Sequence, residues 1–209
     1  MIDNPYWDAV RDHVDPTGSL WGTPEVGSPL GRDNIRQWLA EVPQRHDMVA
    51  RYSWTITDPD TVALVAEHSG GRLVDPMAGT GYWGWVLAQH GVDVTSSDAE
   101  PGTNHWHKDH PCYGPVVAMP GVDAVVPHAD RTLFLAWPPY NTPDGADILA
   151  AYRGSRVIYV GEGDGGCTGD DRLHELLAKE WREVTYRVPV QWFGIHDVVT
   201  VYDRAEASR

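Results

Sequence analysis

The spacing of apolar residues changes character near Gly70. Before it, apolar positions recur at helical intervals from Asn34 to Leu39 and from Asp58 to His68. In the second of these, Asp58 fits an N-cap, Pro59 the first helical position, and Val62, Leu64 and Val65 a buried stripe. The stretch from Pro16 to Arg32, rich in glycine and proline, reads as loop. After Gly70 short apolar runs alternate with helical ones, the pattern of βαβ units around a mostly parallel sheet. Strands are predicted at Arg72–Pro76, Val92–Ser97, Thr132–Trp137 and Arg156–Gly161, with a shorter one near Val116–Met119. Helices are predicted at Tyr82–His90, Asp144–Tyr152 and Asp170–Glu180. The final segments, Glu183–Val190 and Asp197–Asp203, alternate with period two and are joined by QWFGIH, a short connection that suits an antiparallel pair. The expected class is α/β, with a mostly parallel sheet, an antiparallel C-terminal strand pair and an N-terminal helical extension.

Composition narrows the function classes. Asp and Glu number 30 against 16 Lys and Arg, a formal charge of -14, which is the wrong sign for a protein whose affinity comes from neutralising phosphates. The lysines, Lys108 and Lys179, and the scattered arginines form no basic cluster, so nucleic acid is not an expected partner. The opening MIDNPYWDAVRDHV has neither a basic region nor an apolar run, and no apolar stretch approaches the roughly 18 residues that cross a bilayer; a cytoplasmic protein without a membrane partner is the expectation. Cys112 and Cys167 lie far apart without CxxC spacing, so both read as reduced thiols. Ten tryptophans against two phenylalanines supply indole both for core and for walls around flat or cationic ligands.

The segment RLVDPMAGTGYWGW joins a strand to a helix through Asp75, Gly79 and Gly81, with Gly84 a turn later. Glycines there let the backbone turn sharply and approach a ligand, while the helix presents its N-terminal donors. The next strand, VDVTSSD, ends in Asp98, placed for ribose hydroxyls at about the 20-residue spacing such folds use. The alternative is that the glycines only shape a turn and Asp98 caps a helix.

DPMAGTG, Asp98 at the end of the second strand and WPPY at the end of the fourth together resemble the class I S-adenosylmethionine-dependent methyltransferases, over roughly Asp58 to Arg204. The resemblance implies a Rossmann-like domain over 58–209, preceded by an extension over 1–57 that contributes to the active-site cover. It implies S-adenosyl-L-methionine as cofactor, bound by Tyr52, Trp54, Asp75, Ala78, Gly79, Gly81, Asp98 and Trp137. Asp75 favours this family over nicotinamide enzymes, whose GxGxxG spacing AGTGYWG also satisfies, because methyltransferases use a carboxylate there near the methionine ammonium group. RYSWTITDPDT resembles the element that closes over the methionine end in amino-methyltransferases; aromatic residues ahead of a helix also serve as hydrophobic staples. In methyltransferases that act on exocyclic or amide nitrogens, the loop reads Asp, Asn or Ser followed by PPY or PPF. Here Trp137 stands at the polar position, which leaves the Pro138 carbonyl and the Tyr140 ring as the available groups.

Pro138, Pro139 and Tyr140 are therefore expected against the acceptor, with Tyr140 also in the catalytic set. NHWHKDHPC supplies His105, His107 and His110: His105 as a general base and His107 as a substrate contact, or solvated loop histidines without a role. No metal is expected, because a sulfonium leaving group is already activated and the protein mainly aligns donor and acceptor. In GEGDGGCTGDD, Glu162 is a catalytic candidate and Asp164 a substrate contact, unless the acids only cap the next helix. Trp192 and His196, on the connection between the last strands, are expected at the same rim.

The leading reading is a methyltransferase of a small-molecule acceptor in specialised metabolism. Alternatives are a nucleic-acid or protein amino-methyltransferase, a non-catalytic binder of the cofactor and, last, a dehydrogenase. A homodimer is left open.

Overall fold

The computed structural model describes residues 2–20, 43–107 and 110–205. The helix expected at Asn34–Leu39 and most of the loop from Pro16 to Arg32 lie outside the described residues.

Seven strands form one sheet: β2 (Arg72–Asp75), β3 (Asp93–Asp98), β4 (Val117–Ala118), β5 (Thr132–Ala136), β6 (Arg156–Gly161), β7 (Trp181–Arg187) and β9 (Val198–Arg204). Across the sheet they lie in the order β4-β3-β2-β5-β6-β9-β7. The first five are parallel; β9 runs antiparallel between β6 and β7. Apolar runs in β5 and β6 are continuous because both faces are covered. Phe134, Ile158 and Val160 point to one core, and Leu133, Leu135, Val157 and Tyr159 to the other. The first face carries α3 (Pro59–His68) and α4 (Tyr82–Gln89), and the second α5 (Gly121–Val125), α6 (Asp144–Ala151) and α7 (Asp171–Glu180). The fold is α/β with a Rossmann-like sheet and an antiparallel C-terminal pair, as expected.

Asp58 caps α3 as its sequence suggests, with Oδ1 accepting from the Thr61 amide at 3.1 Å and Oδ2 from the Thr61 hydroxyl at 2.6 Å. Among the described residues three short helices escape the periodicity test: α1 (Pro5–Val10), α2 (Arg45–Arg51) and α5, none longer than seven residues. The QWFGIH connection also differs from a plain hairpin link. Its β8 (Gln191–Trp192) pairs in parallel with β1 (Ser19–Leu20), making a separate two-stranded sheet.

The first residues are built into the main core. Asn4 is buried; its Oδ1 accepts from the hydroxyls of Tyr82 (2.8 Å) and Thr57 (2.9 Å) and from the Trp7 amide, and its Nδ2 donates to the Thr57 carbonyl. Tyr6, Val10, Leu20, Tyr52 and Ile56 share one apolar cluster with β2, β5, β6 and β9. That packing brings the segment before Asp58 to the C-terminal ends of the parallel strands. Among the described residues no helix is long and apolar enough to cross a membrane.

Candidate active site

A cavity of about 320 Å³ opens where β2, β3 and β5 end. Its floor is the turn from Asp75 to Thr80. Gly79 and Gly81 hold φ of +54° and +72°, the left-handed region that an L side chain disfavours, and a Cβ at Gly81 would stand 2.7 Å from Val116. The turn is tied down on both sides: Ala78 donates to the Ser97 carbonyl at 2.9 Å, Gly79 to Asp98 Oδ2 at 2.9 Å, and the Thr80 hydroxyl to the Tyr52 carbonyl. Asp98 Oδ1 accepts from the Glu100 amide at 2.9 Å, so the carboxylate at the end of β3 bridges the turn and the following loop. Gly84 serves packing instead, since a Cβ there would meet Ser96 Oγ at 2.6 Å; its absence lets α4 lie close to the sheet.

Asp75 is 2 % exposed, and its Oδ1 has no hydrogen-bond partner. Burial pushes its carboxyl up to about 8, the nearby Asp98 charge adds to the rise, and a bond from the Met77 amide opposes it. His107 closes the cavity from above. Its Nδ1 lies 3.1 Å from the Ala50 carbonyl, so that nitrogen carries the proton. Burial lowers the imidazole pKa and keeps the ring neutral. Nε2 is then an acceptor over the glycine turn, 3.0 Å from where a Gly79 Cβ would be. His107, expected on the acceptor side, thus sits on the glycine side.

Trp137 ends β5 at φ +49°, an outlier for a bulky residue. Its amide donates to the Val160 carbonyl at 2.8 Å, and its indole Nε1 faces Thr55 Oγ1 at 2.9 Å and Asp197 Oδ2 at 3.2 Å. The ring stacks on Trp54 at 4.7 Å and 13°, and Trp106 meets Trp54 edge-on at 4.8 Å. All three indoles line the cavity, with Tyr52, Ala78 and Pro139.

Several acceptor-side expectations change. The Pro138 carbonyl accepts from the Gly169 amide at 2.9 Å, and Asn141 donates to the Gly169 carbonyl at 2.8 Å. The double-proline loop is clamped to the glycine-rich loop through the carbonyl expected to be available. Tyr140 turns away from the cavity and stands 66 % exposed beside a second, open hollow with Glu162, Asp164, Cys167 and His196. Glu162 has both oxygens engaged, Oε2 by the Cys167 amide at 2.7 Å and Oε1 by the His196 amide at 2.8 Å. Burial works to raise its pKa, but those bonds outweigh it and leave it below the ordinary value, a poor general base. Burial and Glu162 push the Cys167 thiol up to about 11. Trp192 does not reach the rim at all: it is 3 % exposed and donates to the Tyr6 hydroxyl at 2.9 Å. His105 is exposed and meets the Trp106 ring edge-on at 5.1 Å.

Thr55 and Trp106, inside the RYSWTITDPDT and NHWHKDHPC segments, also line the cavity, and Arg45 and Asp197, which no motif marks, stand beside Trp137. Asp197 is 3 % exposed and pushed up to about 6 by burial, against the hydrogen bonds from Thr55 and Trp137. Among the described residues no group of three His, Cys, Asp or Glu side chains is arranged to hold a metal ion.

No family model and no curated protein matches the sequence. Solved structures do match. The 1,6-didemethyltoxoflavin-N1-methyltransferase of Burkholderia thailandensis, crystallised with 1,6-didemethyltoxoflavin and S-adenosylhomocysteine, superposes with a TM-score of 0.51 at 20 % identity, over 87 % of this chain and 94 % of its own. The chain has the fold of the class I S-adenosylmethionine-dependent methyltransferases. The N-methyltransferase NodS of Bradyrhizobium japonicum, in complex with S-adenosylhomocysteine, aligns over 98 % of this chain and 100 % of its own at 13 % identity, with a TM-score of 0.47.

Proposed function

We propose that this protein is an S-adenosylmethionine-dependent methyltransferase of a small, flat organic acceptor. The carrying observation is Asp75, a buried carboxylate with an unpartnered oxygen in the wall of a cavity whose floor includes the left-handed Gly79. An unpaired buried carboxylate is costly, and a ligand ammonium group relieves it. The residues present fit the cofactor: Asp75 for the methionine ammonium, the Gly79–Gly81 backbone for close approach, and Asp98 with neutral His107 for ribose hydroxyls. Tyr52 and Trp54 complete the wall.

The bound cofactor supplies a sulfonium-activated methyl group; the protein itself contributes alignment and the exclusion of water. Trp54, Trp106 and Trp137 provide the flat apolar surface for that, with Pro139 stiffening the rim. The engaged Pro138 carbonyl and the absence of a polar side chain at position 137 speak for a small organic acceptor over an exocyclic amino group held as amino-methyltransferases hold it. The formal charge of -14 speaks against nucleic acid. Cytoplasmic location and a biosynthetic role belong to the same reading.

Equilibrium dialysis with labelled S-adenosylmethionine, followed by a label-transfer screen of metabolite extracts, tests this. Saturable cofactor binding and a labelled small product are expected. Binding of reduced nicotinamide cofactors in place of S-adenosylmethionine would remove the reading.

A further inference from the structure

The acids of the cavity are treated differently from acids elsewhere in the molecule. Asp58 and Asp60 share Arg187 at 3.4 and 3.0 Å, Asp93 pairs with Arg131 at 2.7 Å, Asp203 with Arg156 at 2.8 Å and Asp147 with Arg172 at 2.5 Å. Asp75, Asp98, Glu100 and Asp144 all line the cavity, and no Lys or Arg lines it with them. Among the described residues none of the four is in an ion pair. His107, the basic side chain in the lining, is held neutral by burial. Arg45 stands outside the lining, its guanidinium carbon 5.3 Å from the Trp54 ring centroid and 5.6 Å from that of Trp137. Its single charge offsets part of the acids' field and leaves a surplus. A cleft lined by one sign of charge with apolar walls focuses that field on whatever enters.

The cofactor does not use up this surplus. Asp75, buried with an unpartnered oxygen, answers its ammonium group, and its own carboxylate balances its sulfonium. Asp98, Glu100 and Asp144 stay without a counter-charge. Of these, Asp144 stands on the acceptor side: the loop that carries Trp137 and Pro139 into the cavity wall runs on to it, and the Thr142 hydroxyl fixes its Oδ2 at 2.7 Å. The residue is exposed, so a ligand in the cavity can reach it. We propose that the cavity selects acceptors by charge: a flat ring carrying a protonated amine, its ring along Trp54, Trp106 and Trp137 and its ammonium on Asp144, with acceptors that carry carboxylate or phosphate groups rejected. The proposal rests on the methyltransferase reading, since it names the substrate class of the same cavity. The ammonium is an anchor and not the methylated atom, because a protonated nitrogen has no lone pair with which to attack. Rejection of anions follows from the same acids, which give such a ligand repulsion in place of a partner.

The test uses three probes on one ring frame with the full-length protein saturated with S-adenosylhomocysteine: 1-naphthylmethylamine, a cation at neutral pH, the neutral 1-naphthylmethanol, and the anion 1-naphthoate. Calorimetry reads the affinities. The amine should bind at least about tenfold more tightly than the alcohol, and the carboxylate more weakly than either, with the preference narrowing as salt is raised. Asp144→Asn, which keeps an oxygen for the Thr142 hydroxyl, should cut the preference for the amine at least about threefold, with its thermal midpoint measured alongside to confirm the fold. Glu183→Gln removes an exposed acid from β7, outside the cavity lining, and should leave the preference unchanged. Equal binding of amine and alcohol, binding of no probe, carboxylate binding as tight as the amine, an unchanged preference in folded Asp144→Asn, or an equal fall in Glu183→Gln overturns the proposal. S-adenosylhomocysteine is titrated first and alone. If it binds and the probes show no charge preference, only the assignment of a cationic acceptor falls; if it does not bind, the underlying reading falls.

Discussion

The glycine turn and the double-proline loop both end parallel strands at the same rim, yet they present their chemistry differently. At the turn, backbone does the work: left-handed glycines, amides on Asp98 and Ser97, and one buried acid. Each of these needs a particular residue type at a particular place, and short sequence spacing records it. At the proline loop the backbone is already spent, with the Trp137 amide on Val160 and the Pro138 carbonyl on Gly169. Side chains from remote segments gather around Trp137 and its partner Trp54 instead: Arg45, Thr55, Trp106 and Asp197. On the proposed function, the donor half of the site is a local property of the chain, and the acceptor half is a product of its folding.

The largest effect that would separate the halves is Asp75→Asn. Removing the charge while keeping the shape should weaken S-adenosylhomocysteine binding by about 100-fold, on the scale of a charge-assisted bond. Thermal stability should hold or rise, because a buried carboxylate no longer has to be desolvated. Calorimetry and a melting curve read both. A variant that binds normally would put the ammonium elsewhere.

Backbone demand is tested by two glycines. Gly81→Ala places a Cβ 2.7 Å from Val116 at φ +72° and should lower stability by about 1–3 kcal/mol with loss of cofactor binding. Gly18→Ala, at φ +81° with nothing within 4 Å, isolates the conformational cost and should lose only about 1 kcal/mol. Equal losses in urea unfolding would mean the turn is not sterically tight.

How far the sequence carries the reading follows from the same contrast. Strands with two buried faces, such as Leu133–Leu135 against Phe134, show as unbroken apolar runs, and the Asp58–Pro59 start of α3 shows as a cap followed by a proline. Asp75, Gly79 and Asp98 are legible for their spacing. Trp192 is not, because position in a connection says nothing of burial; its pairing with Leu20 and its bond to Tyr6 draw it inward, away from the expected rim. Tyr140 is expected at the cavity because its motif neighbours are there, but the turn after Pro139, with Asn141 at φ +53°, swings it to the second hollow. Asp197 carries no signal beyond being an acid before a strand; only the fold brings it under Thr55 and Trp137.

The acceptor half yields smaller effects on the cofactor. Trp137→Phe keeps a ring against Trp54 but removes Nε1, so Asp197 loses one of its two donors; stability should drop by about 1 kcal/mol, measured by chemical unfolding. Tyr140→Ala should leave S-adenosylhomocysteine affinity within about twofold, since the side chain does not line the cavity. A tenfold loss would place Tyr140 in the cofactor wall.

The central claim, that Asp75 receives the cofactor's ammonium group, has a direct test in proton release. Burial raises the Asp75 carboxyl from its ordinary 3.8 to about 8, so the free protein holds a proton there at pH 6.5. The unliganded fold is thus penalised increasingly as pH climbs from the ordinary value toward 8, and a bound ammonium group, which favours the ionised form, removes that penalty. Calorimetric titration of S-adenosylhomocysteine at pH 6.5, in two buffers of different ionisation enthalpy, should show close to one proton released, with affinity rising roughly tenfold per pH unit toward 8. Asp75→Asn should release none. Binding by the wild-type protein with no proton released at pH 6.5 would contradict the account.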